Sequence, residues 1–234
     1  MKVEIIRRER LSEGDAEQMF RLHAVYFENV RAENFRRDLA EKEWVILLRE
    51  TDRILGFSTV RFFDHDASGS RVLFSGDTIV DKSKRQTCCL AGAFGHLLRR
   101  FRPKDRPFYW LLICKGYRTY RFLPTFFHQF DPGPGINGGP LARLRNAIAA
   151  ERFGPAYDLK TGIVRFNGNA DFLRPDHAGI AIAHSRDPFV RFFLDRNPGF
   201  RVGDELTCLA PLAEENLNSL AKRLVARTRV RWVA

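Results

Sequence analysis

The chain has 234 residues, 44% hydrophobic and 29% charged, which suits a soluble globular protein of one large domain, or a core of about 150 residues with an extension. Its 39 lysines and arginines against 28 acids give a formal charge of +11, which favours an anionic partner without choosing among nucleic acid, acidic protein, phosphorylated cofactor and membrane surface. No apolar run reaches the roughly 18 residues of a membrane helix. The N-terminal charge pattern is wrong for a signal peptide, so a cytoplasmic setting is expected. Cys88, Cys89, Cys114 and Cys208 form no C-x-x-C pair and no zinc spacing; all four are read as reduced, and no metal is expected.

Residues 2–7 alternate as a first strand. Ser12, with Asp15 three residues on, is a capping-box-like start for a helix to about Asn29, with Met19, Leu22, Val25 and Tyr26 facing inward. Residues 32–43 read as a short helix that buries Phe35 and Leu39. Residues 44–49 and 54–63 are strands joined by the polar turn 50–53, hence a hairpin. A polar loop with Gly69 leads into residues 72–80, an apolar strand rich in β-branched and aromatic side chains. After the polar loop 81–87, residues 88–101 form a helix with Leu90, Phe94, Leu97 and Leu98 at helical spacing. A strand feeding a helix through a cationic loop sets the first free N–H groups of that helix beside Lys84 and Arg85, a candidate anion site. An ordinary strand-to-helix connection with solvated lysines is the alternative.

Residues 108–113 are almost continuously apolar, as in a strand buried on both faces. Pro124 divides residues 114–130 into two short helical turns. Glycine and proline fill six of the nine positions 131–139, which marks a boundary or a lid. Pro140 then opens a helix to Phe153. Residues 162–166 and 179–183 are candidate strands. Asp187 caps a helix that Pro188 opens and Asn197, Pro198 and Gly199 close. Residues 205–209 read as a strand, 213–225 as a helix, and 227–232 as a strand edge or a basic tail.

The order up to residue 130 is strand, helix, helix, three strands, helix, strand, helix. It resembles the GNAT superfamily of N-acyltransferases. That resemblance implies an α/β fold of the α+β type, a mixed, mostly antiparallel central sheet flanked by helices. Residues 1–131 would form the GNAT-like core and 132–234 a C-terminal extension that completes or covers it. In the family, a loop of the form V-x-P-x-x-R-G-x-G-x-G/A follows the fourth strand, and its backbone amides hold the pyrophosphate of acetyl-CoA. Val80, Arg85 and the helix start at Cys88 fall at this spacing. The resemblance thus makes Val80, Lys84, Arg85, Gln86, Thr87, Cys88 and Cys89 candidate cofactor-binding residues. The glycine positions read Gln86, Cys88 and Leu90, and Cβ atoms hinder close approach to a phosphate.

The same resemblance assigns Asp77, the acid inside the fourth strand, or else a water chain, as general base. An acid there is costly to bury unpaired, so it faces a cleft or meets a cation. It assigns Tyr120, preferred over Tyr117, as proton donor to the departing thiolate. Lys115, Tyr117 and Arg118 lie just past a buried strand, where crevices form in an open sheet, and are candidate substrate-binding residues. The implied donor is acyl-CoA or acyl-carrier-protein phosphopantetheine, and the acceptor a small-molecule amine. An acidic acyl carrier protein as partner would account for both the positive charge and the missing glycines. The aromatic residues of 108–130 suit a tunnel for an acyl chain, or simply a core. Two other readings stay open: a nucleic-acid-binding basic protein, though no such motif is recognisable, and a catalytically inactive GNAT-like scaffold. If the Cys88 loop is the anion site, Arg85→Glu abolishes thioester binding in a titration; unchanged affinity moves the site elsewhere.

Overall fold

A computed structural model describes residues 1–135, 138–166 and 170–234, with residues 85–87 described by their backbone alone. The first half of the chain gives β1 (Lys2–Arg7), α1 (Glu13–Tyr26), the two-residue β2 (Phe27–Glu28), α2 (Ala32–Ala40), β3 (Trp44–Glu50), β4 (Arg53–His65), β5 (Ser70–Val80), α3 (Cys89–Phe101), β6 (Phe108–Cys114), α4 (Tyr117–Tyr120) and α5 (Phe122–Phe126). The second half gives α6 (Pro140–Phe153), β7 (Tyr157–Asp158), β8 (Ile163–Val164), β9 (Phe172–Leu173), α7 (Pro175–Ala178), α8 (Pro188–Arg196), β10 (Glu205–Pro211), α9 (Ser219–Arg227) and β11 (Val230–Val233).

Local chemistry sets many of these ends. The Ser12 hydroxyl accepts from the Asp15 amide at 3.1 Å and starts α1. Asp187 accepts from the amides of Phe189 and Val190 ahead of Pro188 and starts α8. Asn218 does the same for α9, which therefore begins six residues after the expected start at 213. Two expectations fail. Val25 is 53% exposed, and the inward position on α1 belongs instead to His23, at 4%. Residues 179–183 form no strand; a 3-10 turn, Ile182–His184, follows α7, and Ile182 points into solvent.

The described strands form one large sheet in the order β11-β1-β3-β4-β5-β6-β10-β8-β7 and a small one, β2-β9. Only two of these pairings are parallel, β1 with β11 and β5 with β6. The architecture is a mixed, mostly antiparallel sheet with helices on both faces. β3 shows how the faces are built. Trp44, Ile46 and Leu48 pack on the side of α3, while Val45 and Leu47 pack with Met19 of α1 and Phe35 of α2. Residues beyond 131 complete the sheet, since β10 pairs along β6 and β11 along β1. Among the described residues no helix is long and apolar enough to cross a membrane.

Helix α3 lies against α9 through Gly92 and Gly95. A Cβ at Gly95 would come within 2.0 Å of a Val225 methyl, and one at Gly92 within 2.0 Å of the Thr228 hydroxyl. Alanine gains about 1 kcal/mol in helix propensity over glycine, but overpacking a closed contact costs about 1–3 kcal/mol. The clash wins. Gly95→Ala should lower the urea midpoint by an amount worth about 1–2 kcal/mol with an unchanged slope; a stabilised variant would show that the two helices are not in this contact.

Candidate active site

Two strands part company at the centre of the sheet. β5 and β6 pair from Arg71 with Phe108 to Ser75 with Leu112, and the pairing ends there. Beyond that point β5 continues along β4 to Val80, and β6 continues along β10 to Cys114. The divergence coincides with a register shift. Ser58 faces Thr78 and Val60 faces Ser75, so Gly76 and Asp77 together oppose Thr59. Such a bulge bends its strand and re-aims a side chain. Glycine is required at the bend: a Cβ on Gly76 would meet the Thr59 hydroxyl at 2.6 Å and Lys42 Cε at 2.7 Å. The next residue, Asp77, is thereby turned into the opening.

On the α3 side the gap widens into a cavity of about 510 Å³. Its depth is apolar, with Leu90, Phe94, Trp110, Leu112, Phe122 and Phe126 as walls. Trp110 stacks on Phe94 at 4.4 Å and gives its indole N–H to the Ser75 hydroxyl at 2.9 Å, so its polar atom is satisfied. Lys84, the first residues of α3, Arg118 and Arg121 line the cavity as well. Cys88 precedes α3 in the left-handed conformation, φ 52°, that favours glycine. No side-chain cap occupies the start of this helix among the described residues, and Cys88, Cys89 and Leu90 at that start line the cavity.

The opposite face, beside α2, holds a second cavity of about 420 Å³. Phe27, Thr78, Ile79, Lys115 and Thr119 line both cavities, so the two adjoin at the gap between the strands. A buried charged cluster forms the floor. His23 Nε2 lies 2.7 Å from an Asp171 carboxylate oxygen, and its Nδ1 lies 3.6 Å from Asp77. Lys115 Nζ donates to the other Asp171 oxygen and lies 3.5 Å from Glu205. His23 and Glu205 are 4% and 5% exposed; the Asp77 side chain, at 24%, opens to the cavity.

Burial and neighbours set the charge states. Burial pushes the Glu205 carboxyl up to about 7 against the pull of Lys115. Burial alone would lower His23, but Asp77 and Asp171 outweigh it and hold the imidazole above its ordinary value. Burial would likewise raise Asp171, yet His23 and Lys115 hold it well below the usual carboxylate range. Lys115 stays a cation because Glu205, Asp171 and Asp77 outweigh its desolvation. Glu205, which changes charge near neutrality, and His23, held above its ordinary value, therefore sit beside one solvent-reached carboxylate, an arrangement suited to accepting a proton.

Of the residues expected to act, the structure brings Asp77, Val80, Lys84, Cys88, Cys89, Lys115, Tyr117 and Arg118 to the adjoining cavities. The side chains of Arg85, Gln86 and Thr87 lie outside the described residues. Tyr120 is corrected: it lines neither cavity, is 0% exposed, and gives its hydroxyl proton to the Pro132 carbonyl at 2.9 Å. Its helix, α4, turns the neighbouring Tyr117 into the cavity instead, where the Tyr117 hydroxyl accepts from the Ala181 amide and lies 3.3 Å from His184 Nδ1. Lys115, a candidate substrate-binding residue, is turned inward to Asp171 and Glu205. Lys84 is engaged by Glu50 at 2.7 Å, an exposed pair that an incoming anion can displace. Sequence reasoning missed His23, Asp171 and Glu205. His23 is a polar residue among inward positions of a helix, and Glu205 opens an apolar strand; Asp171 carries no local signal. Among the described residues no group of three or more histidine, cysteine and acidic side chains is placed to hold a metal ion.

No protein-family model and no curated protein matches the chain. Solved structures do align with it. One is the GNAT family N-acetyltransferase YhbS from Escherichia coli in complex with CoA, at 11% identity and TM-score 0.44 over 100% of this chain and 91% of that one. Another is Arabidopsis thaliana Naa50 in complex with a bisubstrate analogue, at 14% identity and TM-score 0.40 over 60% of this chain and 94% of that one. A third is the ribosomal-protein-alanine N-acetyltransferase from Brucella melitensis biovar Abortus 2308, at 14% identity and TM-score 0.38 over 48% and 79% respectively.

The buried cluster has a consequence for stability. Glu205 binds its proton more tightly folded, near 7, than at its ordinary 4.5, so its ionisation opposes folding and stability falls as pH rises through that window. His23, also raised, adds in the same direction as it loses its proton. Asp171 acts only below its ordinary range, where its stabilising charge is lost. Unfolding free energy should drop between pH 5 and 7.5 by about 3 kcal/mol, and Glu205→Gln should flatten most of that slope. Parallel curves for the two proteins would show that Glu205 is not the group responsible.

Proposed function

We propose that this protein is an acyltransferase-like enzyme that moves an acyl group from a thioester to an amine. The observation that carries the reading is the pair of cavities adjoining at the gap between β5 and β6. A donor and an acceptor can enter from opposite faces of the sheet and touch only there. In this reading the acyl donor, an acyl-CoA or the phosphopantetheine of an acyl carrier protein, occupies the α3-side cavity. Its phosphate lies against the α3 amides near Lys84, and its acyl end reaches the apolar walls. The chain's excess of cations supports either form of donor.

The acceptor approaches from the α2 side. Asp77, backed by His23, takes a proton from the ammonium form, which frees the nitrogen lone pair. The lone pair forms the C–N bond, the C–S bond breaks, and sulfur leaves with the electron pair. The nitrogen's second proton leaves as the amide forms, and the thiolate is protonated. Tyr117 is the candidate donor to sulfur, because its oxygen already accepts from Ala181 N–H and keeps its own proton to give.

A thermal-shift series tests the reading. Octanoyl-CoA at about one hundred times its dissociation constant should stabilise the chain by about 2.7 kcal/mol, a rise of roughly 5–10 °C for this size. Asp77→Asn should keep that shift while lowering the transfer rate about a hundredfold. No response to any CoA thioester or acylated carrier protein would sink the proposal.

A further inference from the structure

The α2-side cavity carries more chemistry than an amine alone requires. Besides the charged floor, it is walled by Phe27, Phe35, Phe74 and Phe153 with Ile113 between them. Phe27 and Phe35 stand edge-on to the His23 ring, at 4.7 and 5.9 Å between centroids, and Phe74 meets Phe153 edge-on at 5.9 Å. The carboxylates and the aromatic rings thus converge on one chamber. The floor also has an unspent polar atom. His23 Nδ1 is buried, has no hydrogen-bond partner among the described residues, and is directed toward Asp77 at 3.6 Å. A buried polar atom left this way is costly, and a ligand's N–H bridging toward Asp77 would relieve it.

Resting on the acyl-transfer reading, we infer that this chamber is a subsite for a primary amine carried on an aromatic body, an aralkylamine bound as its ammonium ion between Asp77 and the phenylalanine wall. Three carboxylates, Asp77, Asp171 and Glu205, face Lys115 and His23, so the floor holds excess negative charge until His23 and Glu205 are protonated. Other charged groups that face Asp77 are already answered within the protein. On α2, Asp38 is paired with Lys42, and Arg37 donates a hydrogen bond to the Asn34 side-chain oxygen. Glu41 is paired with Arg61 and with Arg152 of α6, whose guanidinium lies over the Phe74 ring. Arg31, exposed before α2, also lines this cavity. The amine is therefore drawn to the floor and its ring to the wall.

The proposal fixes how binding depends on ligand and on pH. Removing the charge of the amine removes its pull on Asp77, and removing the ring removes the wall contact. Lowering the pH protonates Glu205 and His23, neutralises the floor and weakens an ammonium ligand.

Calorimetric titration of the full chain with three probes tests this. At pH 8, 2-phenylethylamine should bind at least tenfold more tightly than either n-butylamine, which lacks the ring, or 2-phenylethanol, which lacks the charge. Its affinity should fall at least tenfold at pH 5.5, and at least tenfold in Asp77→Asn at pH 8. Equal binding of the alcohol, or no binding of the amine by a folded chain, overturns the inference. The two readings fail separately. If octanoyl-CoA binds and 2-phenylethylamine does not, the acceptor class is wrong and acyl transfer stands. If the amine binds with the expected pH dependence and no thioester does, the amine site stands and acyl transfer falls.

Discussion

Everything at the centre of this molecule depends on two parallel strands that stop pairing. β5 and β6 share hydrogen bonds only as far as Ser75 and Leu112, and each then follows its other neighbour. A sheet interior is ordinarily continuous because buried backbone groups demand partners. Opening it requires a device that holds the strands apart, and here that device is the bulge at Gly76 and Asp77. The bend is stable because β4 and β10 keep the outer edges of both strands paired. One opening then serves two faces of the sheet, which is what a reaction between two bulky partners needs.

The charged floor shows how the second half of the chain enters the chemistry. Asp77 and Lys115 come from the strands that diverge and His23 from α1, but Asp171 and Glu205 come from beyond residue 131. Buried ion clusters rarely stabilise a protein outright, since desolvation offsets most of the attraction. This one holds Glu205, whose burial brings its charge change to about 7, beside His23, which Asp77 and Asp171 hold above its ordinary value. A purely structural ion pair has no such requirement, which is why the cluster reads as functional. The small sheet of β2 with β9 brings the segment of Asp171 to the end of α1, so the C-terminal half acts as a wall of the site.

The contact between α3 and α9 acts at longer range. Gly92 and Gly95 let the last helix lie close against α3, and β11 then continues into the sheet beside β1. The start of α3, with Cys88 in its left-handed turn, is thus anchored from the far end of the chain. The left-handed turn at Cys88, a conformation that glycine would make easy, is held by the surrounding fold.

The sequence by itself determined the local elements, because their causes are local. Ser12, Asp187 and Pro140 mark helix starts by capping and ring geometry, and the runs 44–49, 72–80 and 108–113 declare strands by their apolar, β-branched character. It also pointed to Asp77, an acid that an apolar strand cannot bury unanswered. Only the tertiary structure decided what answers it. His23, Asp171 and Glu205 lie 54, 94 and 128 positions away in the chain, and no periodicity links residues that far apart. The choice between Tyr117 and Tyr120 was closed to sequence for a related reason: three residues apart, they fall on nearly the same face of a short helix, and although both are buried, it is the packing of Tyr120 on α8 and its bond to Pro132 that leave Tyr117 to border the cavity. Spacing along the chain fixes which element a side chain belongs to; which neighbour it meets is fixed by how distant strands pair and part.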